Sequence, residues 1–585
     1  MEADDDTCPA RPTCDRDSHY YRTEDGSCNN LDHPSWGKAG LPYRRVMPKQ
    51  DSLVDCGRAS HLPNPRLASG TLVRRGEDEY NYGASVMVMI YGQVIDHDLM
   101  KTPECGTFSG CGEVDDCCEA ESKNAANCCP IIAPKSDHFY GKGGRPTCIS
   151  FLKSIRVKDA YCKKWDVMNE NTAFLDASFL YGSDQHQANV VRDLEGGHGA
   201  LRFQHDVSHR MYPPVSLNGS DIRVSSFSGL YDMGDSRGDA HSGFLLIHIA
   251  FLRLHNDIAA TLSEMHPDWS DEWLFQETKK IVVAIHQQIT YSEWLDVLLG
   301  KHNHIHVHSY QDGYEDVYDP HVDPTISMVF STSAYRLHTL IPGYYVLRNK
   351  HFKETGKMKL RDSFRNPLAL NESTNYDDLI RGLATQPIHD FDNVFTTEMT
   401  EWLFAENDTE TGVRSGLDIV SFNVQRGRDH QLPTYPSYKA YCGYEMPETW
   451  EDMTDLISPD HVHRLYHLYK RPADVDLYIA QNMERPIDGT LLGPTSHCLV
   501  RDQFERLKSG DRFFYTNSYV FTPYQLSAIK KMTLSRVLCD YADHPEEMRL
   551  PRDMFRVMTD RKGGNPLLSC KDYVNIPPLD LEPWR

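Results

Sequence analysis

The stretch that most limits what this chain can fold into is residues 82–102. Its first half, 84–91, is almost wholly apolar, and on a helix such a run is buried on every side rather than along one stripe. Into this segment the chain sets Gln93, Asp96, His97 and Asp98. Folding does not ask for them, because buried polar groups without partners cost several kcal/mol. At about 100° per residue, Gln93 and His97 share a face, Asp96 lies beside them, and Asp98 is turned by roughly 200° from Asp96. One face therefore offers a base, an amide and a carboxylate, and the other a lone anion that calls for a cation. A capped helix end with solvated Asp and His is the plain alternative, so other parts of the chain must decide.

A length of 585 residues is long for one domain, yet no Gly/Ser-rich linker, low-complexity tract or repeat marks a boundary. The expectation is a disulfide-tied arm over 1–40 and one large domain over 41–585, with a Cys-rich insertion at about 104–148. The fold class reads as mainly α, with few short strands and helical periodicity over 83–100, 243–262, 271–299, 397–404 and 522–538. A net charge of −23 argues against nucleic acid or an anionic membrane as partner. No apolar run reaches 18 residues free of charge, so no transmembrane anchor is expected. The MEADDD start is no signal peptide, which implies a leader already removed or a trimmed start.

Sixteen cysteines fall in bunches near the two ends and between Cys105 and Cys162. Paired CxxC-like zinc spacings are absent, so disulfides in an oxidising compartment fit better. Sequons at Asn218, Asn371 and Asn407 agree with a secreted glycoprotein. Alternating His302, His304, His306 and His308 read as an exposed extended segment rather than a metal site.

Four more patches carry polar residues a core does not need. In 171–184, NTAFLDASFLYGSD, the residues Thr172, Asp176 and Ser178 present oxygens at short intervals. Calcium takes six to eight oxygens, several from one loop, and Asp98 would complete such a set; an Asx/Ser turn is the plain reading. In 233–241, MGDSRGDAH, the Arg237-Gly238-Asp239 tripeptide is either an exposed adhesion motif or an arginine placed to stabilise an anion. In 329–343, His338 sits in an apolar helical pattern with Tyr335 and Arg336 nearby, where a satisfied core histidine is the plain reading. In 417–433, Asn423 and Arg426 follow an apolar run.

In this order and spacing, the blocks GQVIDHDL, CCPIIAPKSDHF, TAFLDASFLYGS, GDSR, HNDIAATL, WSDEWLFQETKKIV, ITYSEWLDVLLG and FNVQRGRDHQLP resemble the animal haem peroxidases. The likeness covers nearly the whole chain and is that of an invertebrate-like member. It implies a secreted enzyme that reduces hydrogen peroxide through an oxo-ferryl state and oxidises iodide, bromide, a phenol or protein tyrosine. It implies haem b and calcium as cofactors, with His97, Arg237 and Gln93 as the distal catalytic residues. His338 matches the axial iron ligand, Asn423 the acceptor of its other ring N–H, and Arg426 a haem-propionate partner; Arg336 counts among the cofactor-binding residues. Asp98, Thr172, Phe174 through its carbonyl, Asp176 and Ser178 match the calcium site. The resemblance also implies the pairings Cys14–Cys28, Cys442–Cys498 and Cys539–Cys570.

Two departures bear on function. Relatives esterify haem through two carboxylates; one matches Asp96, whereas the other position is Ala240, followed by His241 where the strongest halide oxidiser has methionine. At most one ester is therefore expected. Tyr335, three residues before His338, resembles the fatty-acid dioxygenase branch, in which a tyrosyl radical attacks lipid. A dioxygenase and a non-enzymatic adhesion relative are thus the alternatives.

Overall fold

Three helices meet at the centre of the protein: α1, Met87–Leu99; α2, Ser242–Met265; and α3, Asp271–Ile289. The computed structural model describes residues 8–50, 53, 61–76, 80–105, 114, 116–119, 122, 125–205, 209–216, 231–301, 303–307, 313–370, 375–407, 412–560 and 564–585. α1 is buried all round, as its apolar run requires. α2 buries nearly its whole first half, including Phe244, Leu245, Leu246, Ile247, Ile249 and Phe251. Each such side chain contributes about 1.5–3 kcal/mol, so the pair forms the centre of the core. They can approach because residue 243 is glycine: a Cβ there would stand 2.6 Å from Ile90 Cδ1. α2 is long and apolar enough to cross a membrane, but 78% of its most apolar window is buried inside the protein. Its apolar surface is already used.

α3 starts on a Ser270 cap with Asp271 and Glu272 in its first turn, which suits the positive helix N-terminus. It runs into a π turn at Thr290–Trp294 before Leu295–Leu298. That turn directs Trp294, whose indole N–H donates to Val88 O of α1 at 2.9 Å. A fourth helix, α4, Ile419–Asp429, is capped by Asp418. The same carboxylate pairs with the fully buried Arg66, which also holds Asp137.

Strands are short and peripheral: among the described residues, one three-stranded sheet and seven two-stranded ones. Three expected helices are corrected. Residues 80–85 form a strand paired antiparallel with Pro387–His389, so α1 begins at Met87. Only Thr397–Thr400 is helical, and Leu403–Asn407 turns into a hairpin with Arg414–Leu417. The 522–538 pattern divides into Pro523–Ile529 and Leu534–Asp540, because Thr533 caps a new helix there. In each case tertiary pairing or a capping residue overrides local periodicity.

Six disulfides join described residues, among them Cys14–Cys28, Cys442–Cys498 and Cys539–Cys570 as expected. Cys117–Cys128 and Cys118–Cys148 staple the insertion, and Cys8–Cys162 ties the N-terminal arm to the body. Asn218 and Asn371 lie outside the described residues. Asn407 is exposed at a strand end, and the rest of its sequon is outside. Of the histidine alternation, His302 and His308 are outside, while His306 Nδ1 meets Asp296 at 2.7 Å.

Candidate active site

A cavity of about 230 Å³ opens between α1, the turn before α2 and the segment 335–341. It is lined by Gln93, Asp96, His97, Arg237, His241, Arg336 and His338 among otherwise apolar walls. Residues 140 and more positions apart in sequence thus meet around one space.

His97 is buried, with its ring edge against Phe244 at 4.3 Å between centroids. Burial, then Arg237, push its pKa well below the usual histidine range, so the ring is neutral. Its Nδ1 has no hydrogen-bond partner among the described residues and lies 3.7 Å from Asp235 Oδ1. Asp235 also accepts from Arg237 through Nε at 2.9 Å, the backbone N–H at 2.7 Å and Nη2. Burial raises the Asp235 pKa, yet Arg237 and then His97 bring it far below the carboxylate range. Asp235, which meets both His97 and Arg237, was not singled out in the sequence. Its signal was its place two residues before Arg237 in GDSR. The turn that holds it is laid on the 171–184 loop: a Cβ on Gly234 would come within 2.4 Å of Leu180 C.

The Arg-Gly-Asp tripeptide is not displayed. Asp239 is 4% exposed and its Oδ2 has no partner among the described residues. Burial pushes its pKa up to about 6, from an ordinary 3.8. A raised folded pKa means this carboxyl favours folding below pH 4 and opposes it as pH rises through 6. Asp239→Asn is therefore expected to stabilise the fold by about 2–3 kcal/mol at pH 8 and to make no difference at pH 4, as read by urea unfolding at both pH values.

His338 is found in a 3-10 turn, His338–Leu340, rather than in a helix. Burial, then Arg336, lower its pKa to about 3, so it is a neutral imidazole, as metal ligation requires. Its Nδ1 faces Asn423 at 2.9 Å. The expected acceptor oxygen is not the atom seen there: Nδ2 is. Turning the carboxamide by 180° exchanges the two atoms, and iron at Nε2 requires that form because Nδ1 then keeps the ring proton. Nε2 has no protein partner among the described residues. A neutral histidine with one nitrogen held and the other open, across an apolar-walled cavity from His97, fits haem. Asp96 and Arg336 share this cavity, 3.4 Å apart. Arg426 does not reach it. Its guanidinium is taken up by Leu152 O, Ser154 Oγ, Asp429 and Glu104, above the Phe151 ring, so the propionate assignment is not supported by its position.

The calcium candidates do come together. Ser178 Oγ donates to Asp98 O at 2.7 Å and Oδ1 at 3.0 Å, and Thr172 Oγ1 to Asp176 Oδ2 at 2.7 Å. Asp98 and Asp176 are both buried. Burial and then Asp98 raise Asp176 to about 7, because two carboxylates stand together away from water. Phe174, 1% exposed, has a carbonyl that accepts no hydrogen bond among the described residues. These oxygens fit calcium. His286, unnoticed in the sequence, reaches Asp98 Oδ2 at 3.2 Å and Tyr91 at 2.7 Å.

Comparison with known proteins decides the lineage: a family model described as animal haem peroxidase matches residues 21–555. The chain belongs to the animal haem peroxidase family. It is 33% identical to the peroxidasin homologue pxn-2 of Caenorhabditis elegans, over 96% of this chain and 44% of that protein. It is 32% identical to a Drosophila melanogaster peroxidase, over 99% and 84%. This family member therefore spans less than half of the peroxidasin homologue. Among solved structures, Peroxidase A of Dictyostelium discoideum shares the fold at TM-score 0.77 and 23% identity, over 92% of this chain and 99% of that one. A fatty acid alpha-dioxygenase of Oryza sativa shares it at 0.72 and 18%, over 92% and 86%.

Proposed function

We propose that this chain is a secreted haem peroxidase that reduces hydrogen peroxide and oxidises a small donor. The observation that carries the reading is a neutral His97 beside the Asp235–Arg237 pair, sharing a cavity with a neutral His338 braced by Asn423. Haem held on His338 would supply the iron that takes the peroxide oxygen and stores its oxidising equivalents. The protein's share is proton handling and charge. His97, uncharged, takes the peroxide proton and returns it to the leaving oxygen. Asp235 and the Met100 carbonyl hold Arg237 through Nε and Nη2, leaving Nη1 to stabilise negative charge in the cavity. Arg336, beside Asp96, would meet a cofactor carboxylate. Asp98, Thr172, Phe174, Asp176 and Ser178 would hold calcium, and the disulfides and Asn407 fit an extracellular glycoprotein. Peroxide-dependent turnover of a panel of iodide, bromide, phenol and tyrosine peptide tests the reading; no turnover of any donor by the haem-loaded protein sinks it.

Asp96 is the one carboxylate among the described residues that line the cavity, and with Ala240 at the other position at most one ester of the usual kind is expected. Asp96→Val is expected to release all haem on acid extraction, whereas the peroxide-treated parent retains a fraction, read by mass spectrometry of a digest.

Tyr335 speaks against the dioxygenase reading. Its hydroxyl donates to Gly92 O at 3.1 Å and its ring stacks on Phe330 at 4.7 Å. Tyr335 borders the cavity, but its hydroxyl is held by a backbone carbonyl, which is a poor proton acceptor, and its ring is packed in place. Tyr335→Phe should leave phenol oxidation within about threefold, since a neutral hydrogen bond contributes about 1 kcal/mol. Fatty-acid-dependent oxygen uptake that vanishes in this variant would favour the dioxygenase.

A further inference from the structure

The helix Pro459–Leu468 lies at the surface, and none of its residues lines the cavity. Ser458 caps it by accepting the His461 N–H, and Pro459 opens its first turn, two features that fix a helix start. Val462 and Leu465 bury one face, and the Tyr466 ring packs edge-on against Trp450 at 5.9 Å between centroids. The backbone is thus held along its length while the opposite face meets solvent. On that face stand His463 and His467, both exposed. Four residues make just over one helical turn, so the two side chains are neighbours. Their Nε2 atoms are 3.1 Å apart, with the rings at 89° to each other. Two lone pairs do not share such a distance, so one Nε2 carries a proton and donates it to the other. A metal ion fits in place of that proton. Imidazole nitrogens bind zinc at about 2.0–2.1 Å, and at the observed separation of 3.1 Å they would subtend about 100° at the ion. That angle lies between the octahedral and tetrahedral values. The donating ring need only move its hydrogen to Nδ1, which no protein group engages in either residue among those described. Asp460 and Arg464, the charged residues flanking His463 on this helix, offset each other, and the net charge of −23 favours a cation overall.

We propose that His463 and His467 form a surface site for a divalent transition metal that favours imidazole, Cu(II) above Zn(II) and Ni(II). Among the described residues no third histidine, cysteine or carboxylate joins the pair, so water fills the other positions and the ion exchanges readily. Calcium, which prefers several oxygens, is not its ligand. The site stands apart from the peroxidase reading and does not depend on it.

The test is Cu(II) titration of the haem-loaded, calcium-saturated protein, followed by calorimetry and by electron paramagnetic resonance of the copper. The tightest site should take one Cu(II) per chain and show coupling to two nitrogens. His463→Ala and His467→Ala each leave a single imidazole, and the Kd is expected to rise about 100-fold, the loss of a second linked ligand. His467→Glu keeps a ligand atom within reach and should recover part of that loss, with one nitrogen in the spectrum instead of two. All three variants should keep the parent's circular dichroism, because both side chains point to solvent from a helix anchored on its other face. A parent with no such copper site, a spectrum without two-nitrogen coupling, or alanine variants whose Kd stays within threefold of the parent would overturn the proposal. Failure of the parent to react with peroxide would remove the peroxidase reading alone, since the copper series is read without peroxide.

Discussion

Replacing His97 with alanine is expected to slow the first reaction with peroxide by about 10²–10⁴-fold, the usual contribution of a positioned acid–base group. Haem should stay bound, because His338 and Asn423 are untouched. Among the described residues, His97 lines the cavity with its buried Nδ1 beside Asp235 and unsatisfied, whereas His241 has both nitrogens engaged and His338 is braced at Nδ1 by Asn423, keeping Nε2 for iron. Its neutrality is secured by burial and Arg237, so the uncharged form is present at physiological pH without help. Asp235→Asn should cost less, since it leaves His97 in place and loosens only the hold on Arg237. Stopped-flow absorbance on mixing with peroxide separates the two. An unchanged rate in His97→Ala would remove this residue from the mechanism, and equal losses in both variants would shift the main role to the Arg237 charge.

Much of this site was legible because buried polar residues are costly and therefore informative. The 96–98 stretch shows it best. The helical turn separates Asp96 from Asp98, and the structure sends Asp96 to Arg336 and Asp98 to Ser178 and His286. The disulfides near the two ends were legible from likeness to relatives rather than from spacing. What stayed hidden depends on side-chain reach. Arg426 matches its motif in sequence, yet four acceptors draw its guanidinium away from the cavity. His241 and Gln93 are 148 positions apart, and nothing local in either segment announces a bond between them. The start of α1 was misread because Ala84 and Ser85 run straight into its apolar stretch, while the Ser85 backbone is committed to Pro387 and Phe555.

Chelating calcium is expected to lower the unfolding free energy by about 3 kcal/mol relative to protein at 100-fold excess over its Kd, the mass-action value for a ligand bound only by the folded state. The reason lies in two buried carboxylates. Without a cation, burial and then Asp98 raise the cost of ionising Asp176, and His286 offers Asp98 only one contact, at 3.2 Å. Asp176→Asn removes one charge, so it should weaken calcium binding and also shrink the penalty of chelation to well under half the parent's. The loop carries function as well as stability. Gly234 allows no room for a side chain against Leu180 and Gly182, so a loosened 171–184 loop must shift the turn that holds Asp235 and Arg237. The chelated protein should therefore react with peroxide more slowly before it unfolds, in a temperature range where circular dichroism is unchanged. If chelation destabilises Asp176→Asn as much as the parent, the cation lies elsewhere. If the peroxide rate falls only as the fold melts, the loop supports the protein without steering Arg237.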